Sequence, residues 1–252
     1  MTDAGAVAPE PRRTPPLALL AGWLRALLLL ASVALALLVG LALLSIRRDR
    51  QRAANAMIGF WARVAPRVAG LRLEVRHAEH IDASRPAVFL FNHQSSVDIL
   101  IMCMLLRRDF TGVAKQEIRR HWVLGPAFAF AGAVFIDRFN RPKAVAALQP
   151  AVDVLHGGIS VGIAPEGTRS VGARLGPFKK GAFRLALAAR VPIVPIVIHD
   201  SYRVLPRKTV AVHPATVHVD VLEPVPTEHW TLETLDAQID EIRQRYLDRL
   251  AE

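Results

Sequence analysis

Ala87-Val-Phe-Leu-Phe91 runs directly into Asn92-His-Gln-Ser-Ser-Val-Asp98, and the fold turns on how these twelve residues are read. Five apolar residues with no polar break suit a short central strand covered on both faces. Ser95 or Ser96 can then cap a helix running to about Leu106. A buried strand that exits through a polar loop into a helix is the repeating unit of an α/β sheet.

Working outward, the same alternation recurs. Leu71 to Arg76 alternates apolar and charged residues as a half-buried strand does. Gly112 to Ala114 reads as a strand, followed by a helical stretch broken by Gly125-Pro126, and Ala133 to Ile136 as the next strand. Asn140 offers an N-cap and Pro142 a first turn for a helix that Gly157-Gly158 ends. Ser160 to Ala164 is a strand, Gly181 to Arg190 a helix and Ile193 to Ile198 another apolar strand. Val210 to Val212 and Thr216 to Leu222 read as strands at the far side. Leu232 to Leu250 closes the chain as a helix striped by Leu235, Ile239, Ile242 and Tyr246. The expectation is an α/β fold: a mixed, largely parallel sheet with helices on both faces, and no internal repeat.

The N-terminal part has a different composition. Residues 1–16 read as a mobile tail, 17–68 as a membrane anchor plus connecting helix, and 69–252 as the main domain. Ala26 to Ile46 holds no formal charge and as a helix would extend roughly 31 Å, about a bilayer's hydrocarbon thickness. A cleaved signal peptide is the rival reading. The run exceeds a signal core, and Arg47, Arg48, Arg50 and Arg52 follow it, which favours a retained anchor. Those arginines place the main domain on the cytoplasmic side of the cell (inner) membrane. Whether the segment spans or lies in one leaflet is left open. Ala53 to Val68 reads as an amphipathic helix, either resting on the membrane or packed on the domain.

Across its 252 residues the chain has a formal charge of +10, which calls for an anionic partner. Aromatic residues make up 6%, too few for base-stacking platforms, so lipid headgroups are favoured over nucleic acid. Cys103 is the single cysteine, which excludes an internal disulfide. Its apolar neighbours make it a core thiol rather than a nucleophile.

His93 and Asp98 carry the chemistry. A helix that starts only at Ser95 or Ser96 lets His93 fold back over Asp98. The carboxylate could then accept the Nδ1 proton and leave Nε2 free to take one from a substrate hydroxyl. The alternative is that Asp98 merely caps the helix in a Ser-x-x-Asp arrangement with Ser95. No second His or Cys at ligand spacing points to a metal. His199, beside Asp200, is the reserve base. Cations recur where strands end: Lys115, Arg138, Arg169 in Pro165-Glu-Gly-Thr-Arg169, and Lys179-Lys180 ahead of a helix. In open α/β sheets ligands bind at such strand ends, and arginine suits phosphate there.

Asn92-His93-x4-Asp98, Gly132-Ala-Val-Phe-Ile-Asp-Arg138, Pro165-Glu-Gly-Thr-Arg169 and Val191-Pro-Ile-Val-Pro195 resemble, in order, the four blocks of the glycerolipid acyltransferase family. The closest likeness is to bacterial 1-acylglycerol-3-phosphate acyltransferases, over roughly residues 70 to 225. Ala164 departs from the aromatic usual before Pro-Glu-Gly, which bears on the pocket wall rather than on the chemistry.

The resemblance implies that His93 is the general base and that Asp98 orients it. The reaction would move a fatty acyl group from acyl-CoA or acyl-carrier protein to the 2-hydroxyl of lysophosphatidic acid, giving phosphatidic acid. The thioester acts as co-substrate, with no resident cofactor, no metal and no acyl-enzyme. Arg169 and Arg138 would hold the phosphate, with Lys115 lining its pocket. Glu166, with Gly167 and Thr168, would support the loop or contact the glycerol. Two rivals stand beside this. One is an O-acyltransferase for another acceptor, such as a lyso-ornithine lipid or glycerol 3-phosphate. The other is a non-catalytic membrane-tethered lipid-binding protein. A nucleic-acid partner is not expected.

Overall fold

In the computed structural model, described for residues 15–137, 148–170 and 172–252, seven strands form one sheet. They are β1 (Leu71–Arg76), β2 (Val88–Phe91), β3 (Phe110–Lys115), β4 (Val134–Ile136), β5 (Ser160–Ile163), β6 (Ile193–Ile198) and β7 (Ala215–Val221), in the order β1-β7-β6-β2-β5-β3-β4. All neighbouring pairs are parallel except β6 with β7, so the sheet is mixed and largely parallel. The helices are α1 (Pro16–Arg47), α2 (Arg50–Ala69), α3 (Glu79–Asp82), α4 (Asp98–Leu106), α5 (Leu124–Phe130), α6 (Leu148–His156), α7 (Gly181–Ala189) and α8 (Leu235–Ala251).

The period-two rule for strands divides the core. On β2, Phe89 and Phe91 face one apolar cluster built with α2 and α4, while Val88 and Leu90 face another built with α6, α7 and α8. On β6 the same split sends Val194, Ile196 and Ile198 one way and Ile193 and Val197 the other. All are buried, each Val, Ile, Leu or Phe stabilising the fold by about 1.5–3 kcal/mol relative to exposure. Both central strands are therefore apolar on both faces.

The structure redraws three boundaries. First, α4 begins at Asp98, later than Ser95 or Ser96, because residues 92–97 are folded around the Asp98 carboxylate. Second, Gly125-Pro126 sits inside the first turn of α5 and starts that helix rather than breaking one; a first-turn proline has no intrahelical N–H to lose. A Cβ on Gly125 would come within 2.4 Å of the Arg119 carbonyl, so the close approach requires glycine. Third, Val210 to Val212 is not a strand, since the Val212 N–H donates to the Gly22 carbonyl of α1 at 3.1 Å. The expected N-cap Asn140 and first-turn Pro142 lie outside the described residues.

α1 is 32 residues long, with Leu17, Leu20, Trp23, Leu27, Leu38 and Ile46 exposed along it. Its other side is docked at three places. A Cβ on Gly22 would press on Ala211, and one on Gly40 on Phe130. Between them Ser32 accepts a hydrogen bond from Trp61 Nε1 of α2 at 3.1 Å. On α2, Met57 and Ile58 are buried in the core while Arg63 and Arg67 are exposed, so this helix packs on the domain.

Candidate active site at the carboxyl ends of the strands

β2 leaves the sheet at Phe91, and the chain is fastened on each side of the next two residues. Asn92 donates Nδ2 to the Ile198 carbonyl at 2.8 Å and accepts the Ile198 N–H at 2.7 Å, tying the loop to the end of β6. His93 accepts at its carbonyl from Ser170 N–H at 2.7 Å and gives its own N–H to Glu166 Oε1 at 2.8 Å. With its backbone held from two strands, the imidazole has a fixed root.

The imidazole folds back onto α4. His93 Nδ1 lies 2.8 Å from Asp98 Oδ2, and that oxygen also accepts the backbone N–H groups of Gln94 and Ser95, each at 2.8 Å. Ser201 Oγ donates to Asp98 Oδ1. Four donors thus surround a carboxylate that is 0% exposed, the condition under which a buried charge is tolerated. An oxygen already accepting two N–H groups faces Nδ1 as an acceptor, so Nδ1 carries the proton and Nε2 presents a lone pair. The His93 side chain keeps 18% of its surface exposed, while that of Asp98 is 0% exposed. Asp98 Oδ2 thus meets the His93 ring and also accepts the Ser95 N–H in the capping manner.

Glu166 ties two backbone segments together. Its two oxygens accept the N–H groups of His93 and Gly176, both at 2.8 Å, and it is buried. Burial pushes its carboxyl above the ordinary range, against the pull of those two N–H groups. The carboxylate braces the β2 and β5 loops together. Gly167, at φ +69, makes the turn after it, and the Lys179 ammonium packs where a Cβ would stand.

Arg169 Nη1 donates to Ser96 Oγ at 3.0 Å, which brings a guanidinium beside the first residues of the His93 loop. Thr168 is exposed beside it. Lys115 closes β3 with its side chain exposed on the same edge of the sheet. β4 ends at the same edge, though Arg138 lies outside the described residues. Lys180 turns away to pair with Asp236. His199, the reserve base, pairs through Nε2 with Asp220 at 2.8 Å.

Below the imidazole lies an apolar cavity bounded by α1, α2, α4, α5 and β3, with Val33, Trp61, Phe91, Met102, Phe110 and Phe128 among its walls. Phe91 meets the His93 ring edge-on at 5.8 Å, so this wall abuts the imidazole. Cys103 also lines it, its thiol pushed up to about 12 by burial, in keeping with a core thiol.

Sequence reasoning passed over Asn92 as a clamp, Ser96, Ser201, Arg207, which reaches the Arg169 carbonyl at 3.4 Å, and Tyr246. The Tyr246 hydroxyl donates to Leu90 O at 2.8 Å and accepts Ile196 N–H at 3.2 Å, splicing itself into the β2–β6 ladder beside Pro195, which has no N–H. Ser201 and Tyr246 lie 103 and 156 positions from their partners, and no local pattern announces them.

Comparison with known proteins agrees with this geometry. An acyltransferase family profile matches residues 72–199. The chain is 38% identical over 179 residues to the human 1-acyl-sn-glycerol-3-phosphate acyltransferase alpha, covering 71% of this chain and 63% of that protein. It is 33% identical over 182 residues to a 1-acyl-sn-glycerol-3-phosphate acyltransferase of Limnanthes alba, covering 72% and 64% respectively. The chain thus spans a little under two thirds of these relatives. The crystal structure of the 1-acyl-sn-glycerophosphate (LPA) acyltransferase of Thermotoga maritima superposes with a TM-score of 0.72 at 26% identity, over 90% of this chain and 96% of that one.

Proposed function

This chain belongs to the acyltransferase family, and from that premise we propose that it moves a fatty acyl group from an acyl thioester to the 2-hydroxyl of 1-acylglycerol-3-phosphate, yielding phosphatidic acid. The observation that supports the reading is the contact of His93 Nδ1 with the buried Asp98 carboxylate at 2.8 Å on a side chain that is 18% exposed; with the proton on Nδ1, Nε2 is the nitrogen left to act as base. Nε2 takes the hydroxyl proton as the oxygen attacks the thioester carbonyl. The tetrahedral intermediate then collapses, the C–S bond breaks, and the imidazolium returns the proton to the leaving thiolate. Asp98 stabilises the transient imidazolium, and general-base assistance of this kind is worth about 10²–10⁴-fold. The donor is acyl-CoA or acyl-carrier protein, with no resident cofactor or metal required by this chemistry.

Arg169 grips the acceptor phosphate in this reading, with Lys115 at the end of β3 assisting and Arg138, which lies outside the described residues, assigned to the same role from the sequence. Arginine beside the catalytic loop favours a phosphate-bearing acceptor over a neutral one. The apolar cavity whose wall touches His93 supports an acyl chain as the other substrate portion, because only an apolar ligand gains from filling it.

Membrane association follows from α1. Gly22 and Gly40 lie about 27 Å apart along the helix axis, and both are seated on the globular part. A helix held at two such distant points lies along the domain. Its exposed leucines and Trp23 then enter one leaflet, with the site facing the cytoplasmic interface. Residues 69–252 form the acyltransferase domain in this reading.

The test is thiol release from palmitoyl-CoA by the purified full chain in mixed micelles with lysophosphatidic acid, with mass analysis of the product. His93→Ala is expected to abolish transfer while keeping the unfolding temperature and vesicle binding. Unaltered turnover in that variant removes the base. Activity confined to an acceptor without phosphate overturns the substrate assignment.

A further inference from the structure

We infer a second anionic-lipid site, separate from the reacting centre, in a groove of about 820 Å³ between α2, β1 and the start of β7. Arg63, Arg67 and Arg72 line it together with Leu71, Met104 and Thr216, and no acidic residue contributes to its walls. All three arginines are exposed, and among the described residues none has a carboxylate within ion-pair distance. Arg67 spends one N–H on the Arg63 carbonyl, while among the described residues the guanidinium groups of Arg63 and Arg72 have no hydrogen-bond partner. Ala62, Pro66 and Pro214 also line it, adding apolar surface to that of Leu71 and Met104. Cations beside apolar side chains match a molecule with a phosphate head and hydrocarbon next to it.

The topology says where that molecule comes from. β7 runs antiparallel to β6 and β1 parallel to β7, so the amino ends of β1 and β7 lie at the end of the sheet where β2 and β6 finish. The groove therefore opens on the same edge as His93, several strands to the side. α2 joins it to the membrane face: Met57, Ile58 and Trp61 line the apolar cavity beside α1, and Arg63 and Arg67, one turn further on, line the groove. With α1 in a leaflet, as the proposed function holds, the headgroup layer runs past these arginines. The occupant is an anionic phospholipid of the bilayer. Each basic side chain near an anionic surface contributes roughly 1 kcal/mol. Three of them around one head fix how the enzyme is turned on the membrane as well as how tightly it is held.

The experiment is flotation of the full chain with phosphatidylcholine vesicles, neutral or doped with phosphatidylglycerol. The wild type should bind the doped vesicles about tenfold or more tightly than the neutral ones. The triple variant Arg63→Gln/Arg67→Gln/Arg72→Gln should lose that preference and keep its binding to neutral vesicles. Arg120→Gln/Arg184→Gln/Arg190→Gln, equal in charge change and away from the groove, should keep it. Thr216→Trp fills the groove without touching any charge and should also lose it. Equal losses in both triple variants, or an unaffected Thr216→Trp, overturn the site in favour of general charge attraction. Suppression of the preference by inorganic phosphate alone reassigns the groove to a soluble anion. Absence of binding to neutral vesicles with the doped preference intact removes the leaflet anchor but keeps the groove.

Discussion

Replacing Asp98 with Asn tests the proposed mechanism with almost no change in shape. Asp98 Oδ2 accepts three N–H groups, so the Asn side chain must place its oxygen there and its amide toward Ser201, whose hydroxyl can turn to accept. The imidazole keeps its tautomer and its seat. What disappears is the negative charge facing the imidazolium that forms when Nε2 takes the proton. With N and O 2.8 Å apart the two charge centres lie about 4 Å from one another, worth about 4 kcal/mol at an effective dielectric of roughly 20. The higher dielectric is the right choice because His93 is open on one side. At about 1.4 kcal/mol per decade, kcat should fall by roughly a thousandfold. KM for both substrates should change little, since Asp98 is 0% exposed and touches neither. The assay is thiol release from palmitoyl-CoA at saturating lysophosphatidic acid, with thermal unfolding as the control on folding. A fall of less than about tenfold in a well-folded variant would mean that the imidazole never acquires a full charge, and the base mechanism would fail.

Three further outcomes follow from single contacts. Arg169→Ala removes a guanidinium placed for phosphate, and KM for lysophosphatidic acid should rise by about 10- to 100-fold with monoacylglycerol use unchanged; equal losses on both acceptors contradict the assignment. Tyr246→Phe strands Leu90 O and Ile196 N–H in the core and should cost about 1–3 kcal/mol in chemical denaturation, together with a fall in kcat at constant KM. Glu166 has a carboxyl raised by burial, so the native chain holds its proton more tightly than the unfolded one does. Its contribution to stability is therefore full below the unfolded pKa and is lost as pH rises through the raised folded value. Subtracting the stability-versus-pH curve of Glu166→Gln from that of the wild type should reveal this decline, and a flat difference would mean that burial leaves the carboxyl unshifted.

Much of the fold was legible because the central strands are apolar on both faces and the loops after them are polar. β2 and β6 announce themselves by composition, and helix α8 by the stripe of Leu235, Ile239, Ile242 and Tyr246. Where expectation and structure parted, a specific contact had overruled the local preference. Val210 to Val212 has strand-like residues, but its N–H serves the Gly22 carbonyl some 190 positions away. Gly125-Pro126 reads as a helix breaker until the Arg119 carbonyl is found against it.

Sequence alone determined that an imidazole and a carboxylate lie five residues apart after an apolar strand, and that cations recur just past several such strands, because both are matters of local spacing. The tertiary structure decided what holds them. Ser201 and Tyr246 reach their partners only once β6 and α8 are laid against β2, and Glu166 acts as a brace only because two loops from different strands bring their N–H groups to one buried carboxylate. Hydrogen bonds reach about 3 Å whatever the sequence separation, so the residues that fix a site in place are visible only when the chain is folded.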